Sequence, residues 1–313
     1  MIRTSSLIVI TCFSIASLAQ QAPQPFQDEN TNKYGYKDQS GKVVIKPVYD
    51  LASEFTDGKF AQVNIGADYQ NNKGGKWGII DTKGKLIIPV KYDNARCLGY
   101  NLFAMNTGHK FSNMDAMPSG KIAIFNASGK ALTPFIYSGF LTAIQFEEGY
   151  AQMEIFDGKK QKYGLLDSTG KVAVPVKYDE VGGFREGLCK LVLNGKIGFI
   201  DKSTKLVIPM NYEESYNFSE GLASVKLNGK WGFIDNKGKE AIPFQYEQAK
   251  YFEEGYAAAK KNGKWGVINK ENKIIVDFIY DDIVWIKNDA NDIRVKKGNK
   301  YIHVDRQGNE LKN

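Results

Sequence analysis

Imidazole is almost missing from this chain: only His109 and His303 occur in 313 residues, far apart in sequence. Two isolated histidines do not make the clustered ligand set of a zinc or copper site, so no metal is expected. Cysteine is equally sparse, with three residues and no Cys-x-x-Cys pair, which removes thiol redox motifs and thiolate metal sites. No Gly-Lys pair is followed by Ser or Thr, and Gly-x-Ser-x-Gly is absent, so the chain has neither a phosphate-binding P-loop nor a hydrolase nucleophile elbow. No catalytic residue and no cofactor is expected. Long apolar runs are lacking too: none reaches the roughly 20 residues that a membrane-spanning helix requires. Beyond the first segment no stretch sustains a 3.6-residue period, which leaves little room for helix. Charge is not concentrated either, since a net +7 over this length is a mild excess and a poor basis for nucleic-acid binding.

The chain opens with MIRTSSLIVITCFSIASLA, in which one Arg precedes an apolar stretch from Leu7 to Leu18 and the small residues Ser17 and Ala19 close the segment. Residues 1–19 read as a secretory signal peptide trimmed after Ala19, with Cys12 inside it, and residues 20–32 as a polar Gln/Pro linker. Export to the periplasm, the cell surface or the medium follows. The mature chain retains Cys97 and Cys189, which fall at unmatched positions of different repeats and are not expected to bridge. Cys189 stands where other repeats carry Ala61, Ala151, Ala223 and Ala257, the place of a small buried hydrophobe.

Aromatic residues and glycine are plentiful, with 17 Tyr, 18 Phe and 31 Gly, and they recur periodically. Taking the aromatic of Lys-Trp-Gly as origin, eight copies start at Tyr34, Trp77, Ile122, Tyr163, Ile197, Trp231, Trp265 and Tyr301. Gly follows at +1, Asp or Asn at +4, Gly at +7, Pro at +12, Tyr at +15 and an acid at +16, with Phe-x-x-Gly-x-Ala beginning at +21. In the sixth copy LASVKL alternates Ala223, Val225 and Leu227 against Ser224 and Lys226, the period of a half-buried strand. Asn228-Gly229 signals a two-residue hairpin. KWGFID is apolar on both faces and therefore central, and EAIPFQY places Ile242, Phe244 and Tyr246 together, with Pro243 marking an edge or bulge.

The units written KWGIIDTKGKLIIPVKYD and KWGFIDNKGKEAIPFQYE resemble the WG-repeat family, and the resemblance runs from about residue 33 to 310. Copies three and eight replace the +1 Gly with Ala123 and Ile302, and copy seven replaces the Pro with Asp277. The resemblance implies an exported or envelope-associated repeat protein without a shared enzymatic reaction. The expected fold is all-β: tandem three-strand meanders over residues 33–313, about seven repeats plus a C-terminal half repeat, stacked as an open superhelical array. A seven-bladed propeller-like ring is the alternative.

Repetition also sorts the candidate residues. Trp77, Gly78, Tyr163, Gly164, Trp231, Gly232, Trp265 and Gly266, with Pro89, Pro175, Pro209 and Pro243, read as structural positions, and the +4 acids Asp81, Asp167, Asp201 and Asp235 as turn formers. Lys precedes all eight origins. In stacked units that column forms a basic rim, which makes Lys76, Lys230 and Lys264 candidate contacts for an acidic protein or an anionic envelope polymer; the plainer role is to keep a sheet edge soluble. The insertions at 66–75 and 106–120 are further places for contacts. The expected function is a non-enzymatic binding scaffold of the bacterial cell envelope. The alternatives are a glycan-acting enzyme using loop carboxylates such as Glu253, Glu254, Asp281 and Asp282, and a purely structural envelope protein.

Overall fold

The computed structural model describes residues 22–68, 73–108, 120–139, 141–287 and 291–311. Residues 1–19, expected to be a signal peptide, with Cys12, most of the 106–120 insertion with His109, and residues 69–72 of the other insertion lie outside the described residues. Among the described residues every element is a strand except one 3-10 turn, Leu141–Ala143. The strands form eight small antiparallel meanders in chain order, one for each copy of the repeat.

The sixth sheet shows the plan. Its strands are Glu214–Ser215, Leu222–Leu227, Lys230–Asp235 and Glu240–Tyr246, hydrogen-bonded in that order. The unit is therefore four-stranded where three were expected. The extra strand is the two-residue Glu214–Ser215, too short to show a period, and it pairs with Val225 and Lys226. The same plan recurs in the seventh sheet, with Gln248–Ala249, Tyr256–Lys261, Lys264–Asn269 and Ile274–Tyr280. In the second sheet the short first strand is Leu51–Ala52. The fifth sheet, Glu180–Arg185, Leu188–Leu193, Lys196–Asp201 and Leu206–Tyr212, has a six-residue first strand. The third sheet keeps three strands, and so does the eighth, Asp282–Lys287, Asp292–Lys297 and Lys300–Val304. Gln24–Gln27, read above as linker, forms the first strand of the first sheet by pairing with Tyr34–Lys37. This pairing gives the first central strand the neighbour that its tandem copies obtain from the preceding Phe-x-x-Gly-x-Ala segment.

The recurring residues have definable tasks. At the +1 glycines a Cβ would lie 2.5–2.8 Å from the carbonyl oxygen of the +11 residue, as between Gly232 and Ile242, so only hydrogen fits. The cause is a bulge: Trp231 pairs with Tyr246 and Phe233 with Ile242, two residues facing four. This bulge corrects the alternation read for EAIPFQY, because it turns Phe244 over Gly232 on the opposite face from Ile242 and Tyr246. Pro89, Pro175, Pro209 and Pro243 sit exposed on these outer strands, where a missing N–H breaks no ladder. Each +4 acid caps its turn; Asp235 Oδ1 accepts the N–H of Lys237 and of Lys239, both at 2.9 Å. The +7 residue is left-handed even where it is not glycine, as at Thr204 (φ 65°) and Asn272 (φ 61°).

The core is made between sheets. One face of the sixth sheet, with Trp231, Phe233, Ile242 and Tyr246, packs on Ala249, Phe252, Ala257, Ala259 and Ile268 of the seventh. Seven such clusters join the eight sheets, always sequence neighbours, and none among the described residues joins the eighth sheet to the first. Among the described residues the sheets are thus joined in chain order, each to its sequence neighbours. Cys189 is fully buried in its alanine slot, donates to the Gly182 carbonyl at 3.0 Å, and is a free thiol like Cys97.

Candidate functional site

The lysine column is where the sequence placed binding, and four of its eight members are engaged. Lys33 pairs with Asp50, Lys76 with Asp93, Lys162 with Asp179 at 2.6 Å and Lys264 with Asp281 at 2.6 Å: in each case the lysine meets the +16 acid of its own repeat. The second oxygen of that acid takes a backbone N–H from the next sheet's hairpin, from Gly66 at 2.7 Å, Gly108 at 2.6 Å, Asn194 at 2.7 Å and Gly298 at 2.6 Å. Lysine, acid and hairpin thus form a latch between consecutive sheets. Its hydrogen bond to Lys264 and to Gly298 holds Asp281 below the usual carboxylate range, and Asp179 is lowered by Lys160 and Lys162. Where the acid is Glu, the longer side chain still reaches the hairpin, as Glu213 to Gly229 at 3.1 Å and Glu247 to Gly263 at 3.0 Å, but no ion pair with Lys196 or Lys230 is formed. Of the three candidate lysines, then, Lys76 and Lys264 are committed to the latch and Lys230 is exposed without an ion pair.

The Glu-Gly turns add a second chain of carboxylates. Glu186 accepts from the N–H groups of Glu220 and Gly221, at 2.6 and 2.8 Å, and Glu220 accepts from Gly255 at 2.9 Å and pairs with Lys270 at 3.0 Å. Acids of the kind that the hydrolase alternative drew on are therefore partly held in structural contacts: Asp281 by its latch and Glu254 in a turn at φ 51°. His303 meets Asp292 at 2.7 Å. Among the described residues no group of three or more His, Cys, Asp or Glu is arranged to hold a metal ion.

A different surface gathers aromatic rings. Trp231 and Trp265 are mostly buried, as their origin positions demand, but a groove of about 350 Å³ opens along their edges between the sixth and seventh sheets. Tyr216, 42% exposed, lies on it, 5.9 Å from Trp231 and 5.9 Å from Tyr251, which is 44% exposed. Charges of both signs flank the rings. Lys226 and Glu214 pair at 2.7 Å, which holds the Lys226 ammonium above its ordinary range, and Lys250 lies 5.3 Å over the Trp265 ring while donating to the Ile283 carbonyl at 2.6 Å. These tyrosines fall at +19 and +20 of their repeats, outside the recurring offsets, and a search for what recurs passes over them. Aligning repeats to find what departs would have exposed them.

Comparison with known proteins agrees with the repeat reading. The family model described as WG containing repeat matches residues 34–69, 77–110, 163–196, 197–231, 231–265 and 265–301. No curated protein matches the chain. Among solved structures it is similar to a eukaryotic initiation factor at 10% identity, covering 94% of this chain and 95% of that one with a TM-score of 0.37. It is also similar to AztD from Citrobacter koseri, at 13% identity over 89% and 90% with a TM-score of 0.35, and to Hsv2p from Kluyveromyces lactis, at 10% over 68% and 74% with 0.33. The fold assignment rests on the strand pairing above and not on these scores. With six matched units whose glycines, turn acids and aromatics perform the same tasks sheet after sheet, the chain belongs to the WG-repeat family.

Proposed function

We propose that this chain is an exported, non-enzymatic scaffold of the bacterial cell envelope that works by binding a protein, and that the partner docks on the groove between the sixth and seventh sheets. The observation that carries the reading is the exposed Tyr216–Tyr251 pair beside Trp231, in a molecule whose origin aromatics, the terminal Tyr301 apart, pack between sheets. Exposed Tyr and Trp with a mixed polar rim form the composition of protein-binding hot spots. An anionic polymer would instead draw on a run of unpaired cations, and the latch neutralises four of the eight column lysines, so that among the described residues no more than two in succession, Lys196 and Lys230, stay without an ion pair. No helix among the described residues is long and apolar enough to cross a membrane.

Capture from envelope extract with immobilised mature chain, repeated with Tyr216→Ala/Tyr251→Ala, tests the site. Loss of a hot spot costs about 2 kcal/mol or more, so the variant is expected to bind the captured protein roughly thirtyfold more weakly. Equal capture by the variant, with loss on Lys230→Glu instead, returns the site to the lysine rim. Export is checked by intact-mass measurement of protein recovered outside the cytoplasm, expected to begin at Gln20.

A further inference from the structure

Between the fourth and fifth sheets lies an opening of about 430 Å³, larger than the aromatic groove and built differently. The fourth sheet contributes Phe146–Glu147, Tyr150–Phe156, Gln161–Asp167 and Val172–Tyr178. Its first strand is only the two residues Phe146–Glu147, preceded by the 3-10 turn Leu141–Ala143. On the other wall, the two positions that are Ser53-Glu54, Tyr216-Asn217 and Lys250-Tyr251 in other repeats are Gly182 and Gly183.

The two glycines lie in a bulge, where Val181 pairs with Leu191 and Phe184 with Cys189, but the bulge makes no steric demand for glycine. Neither has a positive φ; a Cβ at 182 would meet nothing nearer than Lys190 Cβ at 3.5 Å, and one at 183 nothing nearer than Glu147 Oε2 at 3.6 Å. Gly198, in the same sheet, would place a Cβ 2.6 Å from the Ile208 carbonyl. A glycine in a strand costs about 0.5–1 kcal/mol relative to alanine, so two adjacent ones without a steric cause mark a place kept open.

The lining points to the occupant. Phe146, Leu165, Val181 and Phe184 give apolar surface, and Gln145, Gln152 and Glu147 give hydrogen-bonding groups. Gln152 Nε2 donates to the Val181 carbonyl at 3.2 Å, which fixes its amide across the sheet interface. Glu147 lies 3.6 Å from Arg185, so the wall carries no net charge. The volume is in the range of small-molecule sites. Amides that donate and accept, set beside aromatic and aliphatic surface in a neutral cleft, complement a compact molecule with many hydroxyls and apolar C–H faces. We propose that this opening is a binding site for a neutral carbohydrate of one or two rings, separate from the docking groove of the sixth and seventh sheets.

The test is saturation-transfer NMR and calorimetry on the full mature chain, with cellobiose and N,N′-diacetylchitobiose as probes and the neutral peptide Gly-Ser-Gly-Ser as competitor. At least one disaccharide is expected to bind. Gly182→Tyr, which places here the residue that the next repeat carries, is expected to weaken binding at least tenfold with an unchanged thermal midpoint. Should that variant fail to fold, Gln145→Ala takes its place with the same expectation. No transfer from either disaccharide, equal binding by the substituted chain, or displacement by the peptide alone overturns the proposal. Tyr216→Ala/Tyr251→Ala is expected to keep sugar binding, and Gly182→Tyr to keep protein capture, so the two sites succeed or fail separately.

Discussion

Two glycines of the fifth sheet, Gly182 and Gly198, sixteen residues apart, behave oppositely when a methyl group is added. At Gly198 or its counterpart Gly232, alanine meets a carbonyl oxygen, at 2.6 or 2.8 Å, and the bulged strand has to move. Overpacking of this kind costs about 1–3 kcal/mol, so Gly232→Ala is expected to lower the denaturant midpoint by that amount at unchanged m-value. Gly182→Ala meets only ordinary contacts and restricts the unfolded chain, so the same measurement should show a gain of about 0.4–1 kcal/mol. A loss at Gly182 as large as that at Gly232 would mean that the fold needs both. Trp231, 6% exposed, is the opposite extreme: Trp231→Ala removes a buried ring and is expected to cost about 3–5 kcal/mol.

At the level of strands and turns, the sequence disclosed whatever repeats with a period. The central strand KWGFID, the Asn-Gly hairpin and the acid-capped turn are all found where their residues predict them. The two-residue first strands were illegible because two residues have no alternation, and their pairing is decided by where the previous sheet's last strand releases the chain. Phe244 was misplaced because the side-chain period of a strand fails across a bulge, and Pro243 announced the bulge without its size. The site fared worse. Lysines were legible as a column, but their partners lie seventeen residues on and meet them only through the hairpin geometry. Tyr216, Tyr251 and the Gly182-Gly183 pair stand out only when each repeat is compared with its neighbours.

The turn acids give the elements a shared pH response. Asp38 is held below the usual carboxylate range by the Ser40 hydroxyl, Asp201 by that of Ser203, and Asp305 by the Asn309 amide. Such groups bind fewer protons folded than unfolded, so their contribution is complete above the unfolded aspartate value, near pH 4, and is lost as pH falls through the lower folded values. Burial raises Tyr49, Tyr92, Tyr137, Tyr212, Tyr246 and Tyr280, and pushes Cys97 and Cys189 up to about 12. These groups stabilise the fold below their unfolded values and cease to do so as pH rises toward the folded ones. A thermal midpoint level between about pH 5 and 8 is expected, with losses below about 4 from the aspartates and above about 8.5 from the thiols and then the tyrosines. A midpoint that rises on acidification to pH 3 would contradict the turn-capping role.

For the whole molecule, seven interfaces serve eight sheets, and both end faces differ from the faces between them. The last sheet presents Arg294 and Lys296 over the exposed Tyr301, and the first leaves Val44 and Val48 exposed. Stacks of this kind unfold by nearest-neighbour coupling, so damage at one interface is felt most by the sheets beside it. Small-angle scattering is expected to give an elongated particle; a compact disc with adjoining termini would require an eighth interface. Hydrogen exchange should show Trp231→Ala loosening the sixth and seventh sheets before the first and second.

One consequence of the latch concerns ancestry. Four sheets recognise their successors through the same lysine, acid and hairpin, and two more keep the acid and hairpin through Glu213 and Glu247, so the same joint recurs along the stack. The last regular origins, Ile197, Trp231 and Trp265, stand at equal thirty-four-residue steps. A gene segment of that length can be duplicated or lost in frame, and the joint that results is already a fitted one.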